Sequence, residues 1–522
     1  MSFLKNQHRI FLIVTAAITV IMGILLILSP PGVFPDAGWG FHVLRSMQMG
    51  GGFNLLIKPD QADISKNTVA FLTWWSPGQY LIPGFFKWLF DINIGQASAL
   101  TITLCQLSGL AGFYYFFKKI GFTPMISSLS VIFIACQQFY ALNYIFYNGG
   151  EILLFAFSGW FLYGCVALKK PGVILLLFVL FAGWIGFFCK SSVVWVYSAG
   201  LFFLWLRLSL IQKSAVGPVK NGLWIAVPAV LSLLTIYWFF LSKGQNPSSV
   251  SGQLKLSWQT FSFPLASPLL AGFSIDDLSN GLLFHSGIPV FNTSTAILII
   301  VLMAIISLLL VFAIIRYVPN NSYMLLVLAF YGVSVMFFSY AYLQQMAISY
   351  EARHYRVMGI IVIPGILYLV SRLKTGYRIG FGLIWLGIAV SSFCYLVKGY
   401  HLNLVKNAHG TSGIAQKFID QPSLNVIMAL DRQQHNALFA FTSNDIGLEI
   451  NENRVITLEQ ISDYDHINYD DYEYDGHAGP LYVVLPSAYK GKKADTILKF
   501  FPGYQNFTTT QLSDNYILYS AQ

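Results

Sequence analysis

The sequence has few charged residues for its length. Of 522 residues, only 10% are Asp, Glu, Lys or Arg, whereas 56% are hydrophobic and 16% are aromatic. An ordinary soluble domain carries far more charge on its surface. Apolar runs of about 20 residues, each long enough to cross a hydrocarbon core of roughly 30 Å, recur along the chain. The composition excludes a typical soluble protein and predicts a polytopic helical membrane protein.

The sequence also lacks cysteines in its polar loops, internal repeats and a glycine-rich phosphate loop. Its five cysteines all lie in apolar runs, which excludes a disulfide framework and a metal-binding Cys spacing. No convincing cleavage site follows the first apolar run, so we expect an uncleaved first span with Lys5 and Arg9 in the cytoplasm. The net charge of +9 is therefore read as a marker of cytoplasmic loops, and no nucleic-acid partner is expected.

The membrane spans follow from the apolar runs. They are predicted at 10–29, 95–117, 123–143, 150–168, 172–189, 192–211, 220–241, 294–315, 321–343, 357–373 and 379–397. The doubtful segment is 69–90, "VAFLTWWSPGQYLIPGFFKWLF", which is apolar but interrupted by Pro-Gly steps. We expect it to stay on the outer side as a re-entrant or interfacial helix pair.

Basic residues support that topology. If 69–90 does not cross, the basic clusters all fall inside, as the positive-inside rule requires. The clusters are Lys118/Lys119, Lys169/Lys170, Arg207/Lys213/Lys220, Arg316 and Arg372/Lys374/Arg378. The prediction is about 11 spans in a bacterial inner membrane, with the N-terminus inside and the C-terminus outside.

Three regions are then predicted to lie outside, namely a first outer loop (30–94), a middle outer loop (243–293) and the region after 397. We divide the chain into a transmembrane catalytic domain (1–397) and an extracytoplasmic domain (398–522). Short apolar runs alternate with helical stretches after 397, which predicts a small α/β fold. Its acidic stretch "DYDHINYDDYEYDGH" is expected to form a solvated, lid-like loop, with cation binding as the alternative.

The first outer loop opens with "PDAGWGFHVLRSM". The pattern predicts a short interfacial helix with Trp39 on an apolar stripe and with His42 and Arg45 on another face. Asp36 has two interpretations. It is either the N-cap of this helix or an acid held in place for chemistry, and the two roles are compatible.

Further charged residues lie at outer ends of the predicted spans, where ionisable groups are functional candidates. Glu151 begins one span and is either catalytic or a helix-start residue favoured by the dipole. A cluster of candidate substrate-binding residues precedes the span from 357, namely Glu351, Arg353, His354 and Arg356. Arg suits a lipid phosphate or pyrophosphate, the alternatives being pairing with Glu351 or with lipid head groups. Trp74 and Trp75 either anchor the chain at the head-group level or line a cavity.

The order of these features resembles the GT-C superfamily of membrane glycosyltransferases. The resemblance lies in the first span, the acidic residue and interfacial helix of "PDAGWGFHVLRSMQMGGGFN", the segment "WWSPGQYLIPGFFKWLF" and the span ending in "FFKKIGF", and it covers roughly residues 10–120. Within this superfamily, the sequence is similar to protein O-mannosyltransferases and to the aminoarabinose transferases of lipid A. The resemblance implies a polyprenyl-phosphate sugar donor and a glycan, lipid or protein acceptor at the outer face of the membrane.

The resemblance also implies a role for Asp36, which aligns with the acidic residue of the family's first outer loop. That residue acts as general base or, in some branches, as a metal ligand. Ala37 follows where many members have a second acid, which weakens the case for a two-carboxylate site, so Mg²⁺, Mn²⁺ or no metal all stay open. Inverting displacement is the expected reaction, with Asp36 as base and Arg353 and Arg356 on the departing phosphate.

Two other functions remain as alternatives. A transporter or flippase of lipid-linked sugars is disfavoured because the sequence has no repeats and its charged candidates gather at one face. An O-antigen polymerase or ligase-like enzyme would use an arginine-rich outer loop. The middle outer loop offers only Lys243 and Lys255 as cations, which disfavours that alternative.

Overall fold

The computed structural model describes residues 7–210, 216–244, 254–285, 287–459, 461 and 466–522. Lys5 and Lys213, named above, lie outside these residues, as do Asp463 and Asp465 of the acidic stretch "DYDHINYDDYEYDGH". The chain forms two compact units. Unit 1 takes the chain up to Met22, Ile102–Tyr144 and Gly149–Val397, and unit 2 takes Gly23–Thr101, Ile145–Asn148 and Lys398–Gln522.

The helices and strands follow in chain order. The α-helices are α1 (Gln7–Leu28), α2 (Pro35–Gln48), α3 (Gly78–Phe90), α4 (Ile94–Ile120), α5 (Pro124–Ala135), α6 (Gln138–Leu142), α7 (Gly150–Ala167), α8 (Val173–Cys189), α9 (Val193–Leu210), α10 (Val216–Phe239), α11 (Gln259–Gly272), α12 (Ile275–Leu278), α13 (Thr293–Tyr317), α14 (Asn321–Leu343), α15 (Arg356–Arg372), α16 (Thr375–Val405), α17 (Gln421–Gln433) and α18 (Lys492–Leu498). The strands are β1 (Gly32–Val33), β2 (Leu55–Pro59), β3 (Asn67–Phe71), β4 (Phe146–Tyr147), β5 (Ala408–His409), β6 (Ala415–Gln416), β7 (Leu438–Phe441), β8 (Arg454–Thr457), β9 (Leu481–Pro486), β10 (Thr508–Gln511) and β11 (Tyr516–Ala521).

Long apolar helices dominate the fold, which confirms the predicted class of helical membrane protein. Among the described residues, nine helices are long and apolar enough to cross a membrane, and α5 and α8 are shorter apolar helices. Each predicted span coincides with one of these helices, with one difference. The span predicted at 123–143 is divided between α5 and α6, because the extended backbone of Gln137 begins a second helix.

The doubtful segment 69–90 is not a helix pair, so that prediction was wrong. Its first residues belong to strand β3, which pairs with β2 in a hairpin. Only its second half is helical, as α3, which begins after Pro77 and has 13 residues. A spanning helix needs about 20 residues, so α3 is too short to cross on its own.

The predicted middle outer loop is not a simple loop either. It contains α11, whose Phe263 and Ala266 are fully buried. Ser307 of α13 donates a hydrogen bond to the carbonyl of Ala266, and Tyr331 of α14 donates one to the carbonyl of Leu265. These bonds hold α11 inside the helical bundle of unit 1.

Unit 2 contains the predicted small α/β fold, which is confirmed. Its five-stranded sheet has the order β10-β11-β9-β7-β8. The pairs β8–β7 and β7–β9 are parallel, and β11 pairs antiparallel with both β9 and β10. The side chains of β9 alternate between two buried clusters, with Val483 on one face and Val484 on the other. This period-two alternation is what a sheet covered on both faces requires.

Unit 2 also includes the first outer loop, which the predicted boundary at 397 had grouped with the membrane spans. Ile64 from that loop is fully buried in one of the clusters under the sheet. Its amide donates to the carbonyl of Asp475 at 2.7 Å, and Arg454 donates to its carbonyl at 2.9 Å. Residues far apart in sequence therefore share one core.

Candidate active site

Asp36 lies in the first turn of α2 in unit 2. The chain reaches it from β1, which pairs in parallel with β4. Phe34 is the N-cap, with φ −71° and ψ 143°, and Pro35 is the first helical residue. The interpretation of Asp36 as the N-cap was therefore wrong. The fixed φ of Pro35 suits the first helical position, so the helix begins two residues earlier than that interpretation requires. A carboxylate in this turn is still stabilised by the helix dipole.

The start of α2 is held by the C-terminal part of unit 2. Asn444 Nδ2 donates to the carbonyl of Pro35 at 2.7 Å. Gly38, one turn into the helix, lies so close to Asn444 that an added Cβ would be 2.5 Å from its Oδ1. The close approach fixes the backbone that carries Asp36, whose side chain is partly exposed.

His42 and Arg45 contact the same segment. His42 is 7% exposed, and its Nε2 lies 2.7 Å from the carbonyl oxygen of Asn444. Arg45 donates to the carbonyls of Gly447 (3.3 Å), Asn451 (3.2 Å) and Asn453 (3.1 Å). The helix forms as predicted, and the face that carries His42 and Arg45 packs inside unit 2. Its position at the membrane interface stays a prediction. Substrate binding by His42 and Arg45 stays a prediction.

The protonation of His42 follows from its burial. Desolvation lowers its pKa from 6.5 to about 4, against the Asn444 hydrogen bond that raises it and with the nearby Arg45 charge also lowering it. The imidazole is therefore neutral at pH 7, and its Nε2–H donates to the Asn444 carbonyl.

The predicted tryptophans lie beside α2 in the same unit. Trp75 stacks on Trp39 with ring centroids 6.5 Å apart and an interplanar angle of 10°. Trp74 is 44% exposed and packs against Trp75. The stack links the "WWSPGQY" segment to α2, while substrate binding by Trp74 and Trp75 stays a prediction.

Unit 1 brings Glu151 and Arg353 together in an ionic cluster. Lys190 Nζ lies 2.5 Å from Glu151 Oε1, and Arg353 Nη1 lies 3.6 Å from the same oxygen. Arg353 Nε also pairs with Glu351 at 2.6 Å, and Ser349 Oγ donates to Glu351 at 2.5 Å. Two cations and two carboxylates cancel formally. Lys190 was not predicted.

The side chains of this cluster are partly buried. Lys190 is 16% exposed, Glu151 is 23% exposed and Arg353 is 29% exposed. A partly desolvated site strengthens the attraction between a cation and an incoming anion. Lys190 and Arg353 therefore attract an anionic group more strongly here than they would in bulk water.

Arg356 belongs to a different contact. Its guanidinium forms two parallel bonds to Asp277, at 2.9 and 3.1 Å, and lies over the ring of Phe139 at 4.1 Å. This geometry commits Arg356 to a carboxylate that the sequence analysis did not single out. His354 lies between Arg353 and Arg356 in the sequence, and its Nε2 is 3.4 Å from Ser349 Oγ.

Metal binding has no clear set of ligands in the part of the chain that the structure describes. No group of three or more His, Cys, Asp or Glu side chains is arranged to hold an ion there. Asp36 has Ala37 as its neighbour, so a pair of adjacent carboxylates is missing at that position. We derive no reaction step through a metal ion.

Comparison with known proteins gives likeness in structure only. The sequence matches no protein-family profile and no curated protein. Among solved structures, ArnT from Cupriavidus metallidurans in the apo state aligns over 97% of this chain and 97% of its own, with 12% identity and a TM-score of 0.51. The chain has the fold of the GT-C glycosyltransferases.

A second solved structure shows the same GT-C fold. The archaeal oligosaccharyltransferase AglB from Archaeoglobus fulgidus, in complex with an inhibitory peptide and a dolichol-phosphate, aligns over 99% of this chain and 74% of its own. The identity is 11% and the TM-score is 0.51. The sequence resemblance covers roughly residues 10–120, whereas the likeness in fold covers 97–99% of the chain.

Proposed function

We propose that the protein is a glycosyltransferase that moves a sugar from a polyprenyl-phosphate carrier to an acceptor at the outer face of the membrane. The observation that carries the proposal is the GT-C fold over 97% of the chain. AglB, which shares this fold, was solved with a dolichol-phosphate, and that lipid belongs to the class of the proposed carrier.

The proposed base is Asp36. Its backbone is fixed by Pro35 and by the Asn444 hydrogen bond, and its partly exposed carboxylate suits proton transfer from an acceptor hydroxyl. A base positioned in this way typically contributes 10²–10⁴-fold to the rate.

The proposed phosphate ligands are Lys190 and Arg353. This revises the sequence-based pair of Arg353 and Arg356, because Arg356 is already engaged by two bonds to Asp277. Glu151 is proposed as the counter-ion of Lys190 and Arg353 in the absence of substrate, in place of the catalytic role predicted for it. When a phosphate replaces the Glu151 carboxylate, Lys190 and Arg353 each keep an anionic partner.

The chemistry balances without a covalent intermediate. The acceptor oxygen attacks the anomeric carbon while Asp36 takes its proton. The bond between that carbon and the carrier oxygen breaks, and the carrier phosphate leaves with the electron pair. One displacement inverts the anomeric configuration, so a retained configuration in the product contradicts this mechanism.

The proposed orientation places the cluster of Glu151, Lys190 and Arg353 outside. A contact in unit 1 supports the grouping of the loops. Arg207, predicted to lie inside, donates to the carbonyl of Leu168, the residue just before the inside cluster Lys169/Lys170. Accessibility of a C-terminal tag to protease in intact spheroplasts tests the orientation. A tag protected from protease contradicts it.

Mass spectrometry of surface glycans, lipids and proteins tests the transfer. Cells lacking the gene are complemented with the wild-type protein, with Asp36→Asn or with the matched control Asp91→Asn. Asp91 has φ 51°, a conformation that Asn tolerates well. We expect one sugar-sized substituent to be lost in the deletion and with Asp36→Asn, and to be retained with Asp91→Asn. Full restoration by Asp36→Asn contradicts the role of Asp36 as base.

A further inference from the structure

Two adjacent carboxylates, Asp276 and Asp277, occupy the short helix α12 in unit 1. They lie in the region predicted as the middle outer loop, to which the sequence analysis gave no chemistry. Acidic neighbours on a four-residue helix usually face water. Here both have specific partners on a segment more than 70 positions further along the chain.

Asp276 joins two backbone segments. Its side chain is 5% exposed, with Oδ2 accepting from the amide of Ala352 at 2.7 Å and Oδ1 accepting from the amide of Leu282 at 2.8 Å. Burial raises its pKa to about 6 despite both hydrogen bonds. A carboxylate with its two oxygens used in this way fixes the backbone of both donors.

Asp277 makes the second connection. Its carboxylate binds the guanidinium of Arg356 through two parallel bonds, a geometry that sets orientation as well as distance. Arg356 also donates to the carbonyl of Ala271 at 3.3 Å, and the backbone carbonyl of Asp277 accepts from Gln138 at 3.2 Å. The pair is therefore anchored to neighbouring parts of unit 1.

The two connections enclose Arg353. Ala352 is the residue before it, and Arg356 lies three residues after it. The intervening residues form a short 3₁₀ turn, Ala352–Tyr355. Fixing both ends of so short a segment fixes the Cα position and direction of Arg353, whose guanidinium contacts Glu351 and Glu151.

We propose that Asp276 and Asp277 are positioning residues that hold Arg353 where it binds an anionic phosphate. The inference rests on the proposed function, in which Arg353 is a phosphate ligand. Neither carboxylate touches substrate in this account. Each acts through the segment that carries Arg353.

The consequence of removing one carboxylate is a displaced Arg353. In Asp276→Asn, the new amide NH₂ group faces a backbone N–H donor, so one of the two bonds is lost. In Asp277→Asn, the two-point pairing with Arg356 is lost. Because misplacement of about 1 Å can cost 10²-fold at a reacting centre, we expect each variant to bind phosphate about tenfold more weakly.

The experiment is a double-mutant cycle read by binding. The full-length protein in lipid nanodiscs is titrated with undecaprenyl phosphate, and Kd is measured for wild type, Asp277→Asn, Arg353→Met and the double variant. We expect Asp277→Asn to weaken binding about tenfold in the wild-type background and by less than twofold when Arg353 is already Met. Asp276→Asn is expected to show the same pattern. Asp514→Asn, at an exposed position of unit 2, is the control and should leave Kd unchanged.

The outcomes separate the two proposals. Failure of the wild-type protein to bind undecaprenyl phosphate overturns the proposed function. Binding by the wild type with an unchanged Kd in Asp276→Asn and Asp277→Asn overturns the positioning role alone. Equal tenfold losses with and without Arg353 show general structural damage and also overturn it. If Asp277→Asn fails to fold, Arg356→Lys enters the same cycle, since it keeps the charge but loses the paired geometry.

Discussion

Protonation of His42 should loosen the contact between α2 and the segment after β7. The neutral imidazole donates one hydrogen bond to Asn444 at 2.7 Å. A second ring proton would need another acceptor in a buried position, and the added charge would lie near Arg45. At this contact, acidification therefore acts through the His42 imidazole.

The sign and size of the effect follow from the pKa of His42. Its pKa is lowered from 6.5 to about 4 in the folded state, so the unfolded state binds more protons between these values. The stabilisation is complete above pH 6.5 and is lost as the pH falls towards 4. Linkage gives a loss of about 2 kcal/mol at pH 5 and about 3 kcal/mol at pH 4. Asp445, whose pKa burial raises to about 6, contributes in the opposite sense.

Hydrogen exchange on the full-length protein measures this loss. The opening free energy of amides in β7 and β8 is obtained at pH 7.5 and at pH 5, after correction for intrinsic exchange rates. His42→Gln is the control, because its amide keeps a donor but does not titrate. We expect the wild type to lose about 2 kcal/mol more than His42→Gln. An equal loss in both proteins refutes the reasoning, since Asp445 and the other acids are present in both.

Three further predictions concern Arg45, Lys190 and the stereochemistry of the product. Arg45→Met removes the donor to three carbonyls and should destabilise unit 2 by about 3 kcal/mol, which a lower melting temperature would show. Arg45→Lys reaches fewer acceptors than Arg45, so its melting temperature should lie between those of the wild type and Arg45→Met. Lys190→Met should weaken binding of undecaprenyl phosphate about tenfold, whereas Lys190→Arg should retain most of it; equal Kd values for Met and wild type would remove Lys190 from the site. NMR of the glycosylated product should show an inverted anomeric centre, and a retained one would require a covalent intermediate.

The membrane helices were predictable because an apolar run long enough to cross the bilayer leaves a direct record in the sequence. The segment 69–90 was harder, since its composition suits both a span and a buried surface segment. Pro77 separates a strand from a short helix there, and the strand forms only because it pairs with β2. Such pairing depends on a partner elsewhere in the chain, so the sequence of the segment alone does not predict it.

The candidate site was predictable only in part. Arg353 was found because a basic residue on a predicted outer loop opposes the positive-inside bias. Lys190 carries the same signal, alone between two apolar runs, and was missed because it stands singly. Asp277 gave no signal at all, since its partner Arg356 is 79 positions away. One interpretation of Asp36, as the N-cap of α2, was wrong, because α2 begins at Pro35 and its N-cap is Phe34.

The most direct test of the account is the release of polyprenyl phosphate by the purified full-length protein. The protein in nanodiscs is incubated with lipid extract from the cells that express it, and the carrier lipids are followed by mass spectrometry. The account predicts that sugar-loaded polyprenyl phosphate is converted to free polyprenyl phosphate by wild type and by Asp91→Asn, and at least 10²-fold more slowly by Asp36→Asn. No conversion by the wild type, in an extract shown to contain both loaded carrier and acceptor, would contradict the assignment as a glycosyltransferase.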